Sequence, residues 1–220
     1  MPKDELSSSE RVLDPVERSS EVLFGLIMVL TFTSSLSAAE AGRSDVRTMI
    51  IAALGCNLAW GIIDAMMYLM ASLSEKGYGL AMLNAVRSSP DNAAAQSLIS
   101  SALPPVVAAA MDTAQFEQIR QRLIKLTDVP DRPHLTRRDW TGALGVFLLV
   151  FLSTLPVVAP FFFVQDVRFA LRVSNLAAIV MLAIAGYSYG RYSGQREWVW
   201  SLSMVVVGLA MVALTVALGG

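Results

Sequence analysis

The sequence has almost none of the side chains that usually build metal centres or disulfides. Its 220 residues include one cysteine, Cys56, and one histidine, His134. A single cysteine excludes an intramolecular disulfide and any metal site made of several cysteines. His134 lies in a polar segment among prolines and arginines, where an isolated histidine is most often solvated. A structural metal site of the His/Cys type is therefore not expected.

Charged residues are also scarce. They make up 16% of the chain, whereas hydrophobic residues make up 55%; soluble domains average about 25% charged. The net charge of −1 gives no basic excess of the kind that favours nucleic-acid binding. The first twenty residues are highly polar, so no cleavable signal peptide is expected. This composition predicts an all-α integral membrane protein.

Five apolar stretches are about long enough to cross a bilayer. The predicted spans are Val22–Ala39, Met49–Leu73, Trp140–Val164, Val173–Gly190 and Trp198–Gly219. The segment between the second and third spans is too polar to cross, but its Ala-rich and amphipathic pieces predict a helical insert at the membrane surface. The sequence thus divides into an N-terminal segment (1–21), two spans (22–73), the insert (74–139) and three spans (140–220).

Start and stop signals predict three helices in the insert. A helix at Gly79–Ser88 would be stopped by Pro90, and a second would run from an Asp91 cap to about Leu103. Asp112 followed by Gln115 resembles a capping box for a third helix, Thr113–Leu126. In that helix an apolar stripe is formed by Phe116, Ile119 and Leu123.

The positions of lysine and arginine predict the orientation of the spans. With a cytoplasmic N-terminus, the inner segments contain 13 of the 17 Lys and Arg residues, and the outer loops contain only Arg43, Arg47, Arg168 and Arg172. Cytoplasmic segments carry the excess of positive charge. The N-terminus and the insert are therefore predicted to be cytoplasmic and the C-terminus outside. We expect a bacterial inner (plasma) membrane, because no organelle signal is visible.

An acidic side chain lies near the middle of the second span. Asn57, Gly61, Asp64 and Tyr68 follow one another at steps of three or four residues, so they share one helix face. A carboxylate at that depth costs about 2.5–3.5 kcal/mol on insertion scales and should face protein or water. Asp64 is thus a candidate ligand or proton carrier on an ion path. The alternative is a protonated Asp64 that hydrogen-bonds a neighbouring helix and only stabilises packing.

Two further features concern the last three spans. Pro156 and Pro160 predict a kink or a wide turn in the second half of the third span. Arg168 and Arg172 lie one turn apart before the fourth span. They could bind an anion or a lipid headgroup, although interfacial anchoring is the more ordinary interpretation.

The order of the elements resembles the vacuolar iron transporter (VIT) family. Ser20–Ile27 (SEVLFGLI) is similar to that family's first-span segment ending in Asp-Gly-Leu-Ile/Val, and Cys56–Gly61 (CNLAWG) is similar to its Cys/Ala-Ser-Met-Ala-x-Gly-Glu run. Gly145–Phe161, with Leu155-Pro156, resembles its third span, and Ser201–Leu218 its closing helix. The resemblance covers most of the chain after about Ser19.

The resemblance implies a homodimeric carrier that exports Fe²⁺ or other first-row divalent ions from the cytoplasm in exchange for protons. The ion path would run along the dimer interface, lined by the first and second spans. No cofactor is implied, since the metal is the transported substrate. The family's first-span Asp, metal-binding Met and following Glu are replaced here by Phe24, Leu58 and Ile62.

Neighbouring residues could replace the missing ligands. Glu21 lies one turn before Phe24, Asp64 lies beyond Leu58, and Met66 or Met67 could supply a thioether. We therefore expect an ion path that includes Glu21, Asn57, Asp64, Met67 and Tyr68, with Glu21 and Asp64 as metal ligands. The alternatives are a solvated Glu21 at the membrane boundary and methionines that only fill gaps in helix packing.

Two functions remain open from the sequence. The first is a VIT-like, proton-coupled carrier of iron- or manganese-type ions. The second is a non-transporting scaffold, sensor or assembly protein on the same fold, favoured by the loss of the family's ligand positions. An enzyme is not expected, because the sequence contains no nucleophile–base pair near a membrane face, no phosphate-binding loop and no His/Cys metal cluster.

Overall fold

The computed structural model describes residues 15–34, 43–127 and 129–217, and all regular secondary structure in these residues is α-helical. The helices are α1 (Pro15–Ser34), α2 (Arg43–Arg87), α3 (Asn92–Ala102), α4 (Pro105–Ala109), α5 (Thr113–Lys125), α6 (Arg137–Ser153), α7 (Leu155–Val158), α8 (Pro160–Phe163), α9 (Val167–Tyr192) and α10 (Glu197–Ala217).

Four helical segments are long and apolar enough to cross a membrane: Asp45–Arg87, Arg137–Val158, Val167–Tyr192 and Glu197–Leu214. A shorter apolar helix, Glu21–Thr31, lies within α1. The prediction of an all-helical integral membrane protein is confirmed. Of the predicted first span, α1 describes the part that ends at Ser34, and residues 35–39 lie outside the described residues. Most of the predicted N-terminal segment also lies outside them.

The second span differs from the sequence prediction. The sequence predicts a span that ends at Leu73 and a separate helix at Gly79–Ser88, whereas α2 is one helix of 45 residues from Arg43 to Arg87. The turn signals between them are only Gly77 and Gly79. Glycine in a helix costs about 1 kcal/mol relative to alanine, which does not break a helix that gains packing over its length. The predicted boundary at Leu73 is therefore wrong as a helix end.

The described chain forms two compact units, and the division falls within α2, between Tyr68 and Leu69. The first, the helical unit, comprises Leu69–Asp139. Its core consists of Val86, Ala95 and Ile99, against which the predicted stripe Phe116, Ile119 and Leu123 packs. Both predicted helix starts are confirmed: Asp91 caps α3, and Asp112 and Gln115 form the capping box of α5.

The second unit, the spanning unit, contains α1, the first part of α2, and the chain from Trp140 onward. Leu26, Val29 and Leu30 of α1 are fully buried in its core. They belong to one cluster with α2, α7 and α9 residues, namely Val46, Met49, Ile50, Val157, Val158, Ala178 and Leu182. This cluster holds α1 against the elements that carry the polar residues described below.

Glycines bring α9 and α10 into close contact. A Cβ atom on Gly186 would lie 2.5 Å from the Trp200 carbonyl oxygen, and one on Gly190 would lie 2.7 Å from Glu197 Cα. Gly186 and Gly190 are four residues apart, the small-xxx-small spacing that lets membrane helices approach closely.

The third span is interrupted near its two prolines. The helix is continuous only from Arg137 to Ser153; Pro156 lies in the first turn of the short α7, and Pro160 begins the short α8. Proline has no N–H to donate and clashes with the preceding turn, so a continuous helix is not maintained through these positions.

Candidate functional site

The face of α2 that carries Asp64 is turned towards α6. A Cβ atom on Gly61 would lie 3.1 Å from Phe147 Cδ2, and one on Gly142 would lie 2.5 Å from the Tyr68 hydroxyl oxygen. Gly61 and Tyr68 are one turn before and one turn after Asp64 on the same helix face. Asp64 therefore lies between two close contacts of α2 with α6, at the level of the buried residues Ala143 and Val146.

Asp64 is buried, and one of its carboxylate oxygens lacks a hydrogen-bond donor among the described residues. Its side chain is 7% exposed. Its Oδ2 atom is shielded from solvent and has no hydrogen-bond partner among the described residues. A buried acceptor that is left without a donor costs free energy, and that cost is removed when a cation or a proton binds it. Asp64 Oδ2 is therefore the candidate position for a bound cation in the spanning unit.

Asn57 is fully buried two turns before Asp64 and holds the end of α6. Its side-chain nitrogen donates to Thr154 Oγ1 at 2.6 Å and to the carbonyl oxygens of Phe151 (3.3 Å) and Val150 (3.4 Å). These carbonyls are in the last turn of α6, before the proline-containing segment. Asn57 therefore satisfies backbone acceptors next to the break in the third span. Its Oδ1 atom has no partner among the described residues.

Thr154 is a site residue that the sequence did not single out. Its hydroxyl accepts from Asn57 and donates to the Phe151 carbonyl at 2.9 Å. The neighbouring Ser153 hydroxyl donates to the Val150 carbonyl at 2.8 Å. A hydroxyl residue two positions before a membrane proline is a usable sequence signal, because it can bind the carbonyls of the last helical turn.

Three contacts fix the register of α1 against α2. Met28 and Cys56 have their sulfur atoms 3.2 Å apart, and the Phe24 and Trp60 ring centroids are 6.3 Å apart. A Cβ atom on Gly25 would lie 3.5 Å from Asn57 Oδ1. The residue number on α2 rises as the number on α1 falls, so the two helices are antiparallel.

Continuing this register places Glu21 opposite residues 61–63 of α2. Asp64 is one to three residues further on, which corresponds to about 1.5–4.5 Å along the helix axis. Glu21 is partly buried and its Oε2 atom is shielded from solvent. Glu21 shares its face of α1 with Gly25 and Met28, the residues that contact α2. The two acidic side chains of the predicted path are therefore at one depth, on facing helices.

The two methionines considered for the path are exposed. Met67 is 61% exposed and Met66 is 58% exposed on the surface of α2. The residues that replace the ligands of the VIT-like pattern, Phe24, Leu58 and Ile62, are also exposed. Arg168 and Arg172 are exposed in the first turns of α9, whose N-cap is Asp166.

The carboxylates alone do not form a large metal cluster. Within the described residues there is no group of three or more His, Cys, Asp or Glu side chains that could hold a metal ion. A site at Glu21 and Asp64 would therefore combine two carboxylates with neutral oxygen ligands from the protein or water. Ligands of that kind suit hard or borderline divalent ions.

Long apolar helices, one of which carries a buried carboxylate, define the chain as an integral membrane protein by class. Comparison with protein families agrees: the model of the VIT family matches residues 22–220, nearly the entire chain. The protein belongs to the VIT family, whose members transport metal ions across membranes. No curated protein matches its sequence.

Proposed function

We propose that this protein carries divalent iron- or manganese-type ions across a membrane in exchange for protons, and that Asp64 and Glu21 are the acidic groups of its ion site. Asp64 carries the proposal, since it is a nearly fully buried carboxylate with an oxygen that no described residue satisfies. The register between α1 and α2 supports a second acidic group at the same depth.

A carboxylate pair of this kind couples metal and proton movement. Two ionised carboxylates close together in a poorly solvated site repel each other, and a divalent ion bound between them offsets that repulsion. Metal ligands must be deprotonated, so metal binding competes with protons for the same oxygens. The same oxygens therefore bind either protons or the metal, and this competition is what proton exchange requires.

The remaining features of the proposal concern assembly and topology. The carrier would be a homodimer with five spans, a cytoplasmic N-terminus, a cytoplasmic helical insert and an external C-terminus, in a bacterial inner membrane. The bilayer, the second copy and the divalent cation are its partners. It uses no cofactor and binds no nucleic acid. The excess of Lys and Arg in the inner segments supports this orientation.

The test is Fe²⁺ and Mn²⁺ flux in proteoliposomes with an imposed pH gradient, comparing the wild type with Asp64→Asn. We expect flux in the wild type, loss of flux in the variant, and no effect of Glu117→Gln, which neutralises an acid in the helical unit. Flux through Asp64→Asn equal to that of the wild type would exclude the proposed role of Asp64.

A second function is a non-transporting scaffold, sensor or assembly protein on the VIT fold. It is favoured by the apolar residues Phe24, Leu58 and Ile62, which stand where the family-like pattern has ligands and are exposed. This function requires no metal binding above background and a stable protein partner on co-purification. A clean homodimer that binds metal tightly would argue against it, and an absence of flux in the wild type would favour it.

A further inference from the structure

The helical unit carries an apolar segment on its surface. Leu103–Met111 (LPPVVAAAM) contains no charged or hydrogen-bonding side chain, and it includes all of α4. Val106 is 83% exposed and Val107 is 45% exposed. Apolar runs that remain exposed in a polar unit mark an interaction surface.

The contacts within the helical unit show where this segment lies along α2. Arg87, at the end of α2, donates to the carbonyl oxygens of Leu123 and Leu126, so α5 ends beside the end of α2. Ile119 and Leu123 line one groove with Leu83 and Val86 of α2. The two helices therefore run in the same direction.

The start of α5 lies near the middle of α2. Along α5, Asp112 lies about 16 Å before Leu123. Because Leu123 lies beside Arg87, the same distance along α2 leads from Arg87 back to Lys76. α3 begins near the Arg87 end of α2 and runs back along it. Leu103, after the end of α3, lines the same groove as Gly79 and Met82 of α2. α4 joins Leu103 to Asp112 and therefore lies at about the level of Lys76.

The apolar part of α2 ends at the same level. α2 is apolar as far as Leu73, and Ser74, Glu75 and Lys76 follow. Lys76 forms an ion pair with Asp139. The change from apolar to polar residues thus coincides with the level of α4.

We infer that α4 and its flanking residues insert into the interface of the bilayer in which the protein is embedded, so that the lipid surface covers Val106 and Val107. The unit also carries the exposed cations Arg132 and Arg137, which can contact anionic headgroups, as well as the exposed acids Asp112 and Asp131. Met70 and Leu73, in the last apolar turns of α2, are exposed as well. This inference is independent of the proposed transport activity.

The test measures the environment of a spin label at position 106. In full-length protein with Cys56→Ala, Val106→Cys is labelled with a nitroxide and reconstituted in phosphatidylcholine–phosphatidylglycerol vesicles. Collision with oxygen, which partitions into lipid, is compared with collision with a water-soluble nickel chelate. Met70→Cys is the lipid-exposed reference, and Ala93→Cys, exposed in the first turn of α3, is the water-exposed reference.

We expect the label at 106 to behave like the label at 70, with high oxygen and low nickel accessibility. High nickel accessibility, as at position 93, would show a water-exposed segment and overturn the inference. Low accessibility to both reagents would show a segment covered by protein, either a second copy or another partner, and would overturn it equally. All three positions are exposed, so the labels replace side chains that make little packing contact.

Discussion

Glu117 in the helical unit and Asp64 in the spanning unit differ in how their carboxylate oxygens are satisfied. In the helical unit, Glu117 accepts from Arg120 Nε and Nη2, each at 2.8 Å, and from Gln121 Nε2 at 2.8 Å. In the spanning unit, Asp64 is buried and keeps one oxygen without a partner among the described residues. An acid whose acceptors are occupied at the surface adds little besides local order, whereas a buried carboxylate oxygen without a donor is a position where a cation can bind.

A related difference exists within the spanning unit, between the polar side and the apolar side of α2. The side turned towards α6 carries the polar residues Asn57, Asp64 and Tyr68, of which Asn57 and Asp64 are buried. The exposed side carries apolar residues such as Leu58 and Ile62, where the family-like pattern has its ligands. The polar residues of this part of α2 thus lie inside the protomer, and the apolar residues lie on its surface. Each experiment below tests one part of that contrast.

The largest effect is expected from neutralising the two acids of the proposed ion site, Glu21 and Asp64. Loss of outer-shell partners alone weakens metal binding by about 10–100-fold, so Glu21→Gln and Asp64→Asn should each weaken Mn²⁺ binding by at least about 10-fold. Because one ion needs both carboxylates, the double variant should lose less than the product of the two single losses. Calorimetric titration of purified protein measures all four affinities.

Two outcomes would contradict a shared ion site at Glu21 and Asp64. Wild-type affinity in Glu21→Gln would remove Glu21 from the site, and fully multiplicative losses would show that the two acids act at separate positions. Met67→Leu is the matched control on the exposed side of α2, and its affinity should equal that of the wild type.

Enlarging Gly61 should give the next largest effect. A Cβ atom there would already be 3.1 Å from Phe147 Cδ2 and 3.3 Å from the Phe147 carbonyl oxygen. Gly61→Leu should therefore lower the free energy of unfolding by about 1–3 kcal/mol, the usual cost of overpacking. Denaturant unfolding in mixed micelles measures the change.

Gly55 supplies the control for this substitution. It is on the same helix, and a Cβ atom there would meet no described atom within 4 Å. Gly55→Leu should leave the unfolding free energy unchanged or raise it, because leucine is the better helix former. Equal destabilisation by the two variants would contradict the close contact of α2 with α6.

The hydrogen bond between Asn57 and Thr154 should have a smaller but measurable effect. Interhelical hydrogen bonds in membrane proteins contribute about 0.6 kcal/mol on average and at most about 1.7 kcal/mol. The coupling energy between Asn57→Leu and Thr154→Val in a double-mutant cycle should fall in that range. A coupling energy of zero would mean that Asn57 acts on the Val150 and Phe151 carbonyls alone.

Local features were predicted well from the sequence. The caps at Asp91 and Asp112 were identified because a cap is decided by residues within one turn. The shared face of Asn57, Gly61, Asp64 and Tyr68 follows from helical periodicity, and the structure buries Asn57, Gly61 and Asp64 and partly buries Tyr68. In each case the information lies within a few consecutive residues.

Features that depend on distant contacts were not predictable in the same way. Gly25, Asn57 and Thr154 meet only because α1, α2 and α6 pack together, and no spacing within one helix shows that. The depth match of Glu21 with Asp64 depends on the register between helices. The continuity of α2 was missed because packing compensates for Gly77 and Gly79, and packing is not visible in the local sequence.

The smallest effect is expected at Glu117, whose pKa sharpens the contrast with the spanning unit. The hydrogen bond from Arg120, followed by that from Gln121, lowers the pKa of Glu117 from 4.5 to about 2. A lowered pKa means that this interaction stabilises the folded protein above about pH 4.5 and is lost as the pH falls towards 2. NMR titration of the Glu117 carboxyl should give the low pKa, and Arg120→Met should raise that pKa towards 4.5.

Because Glu117 is at the surface, Glu117→Gln should change metal flux and thermal stability very little. A large loss of flux in that variant would show that transport depends on the acids of both units, and the contrast between them would fail.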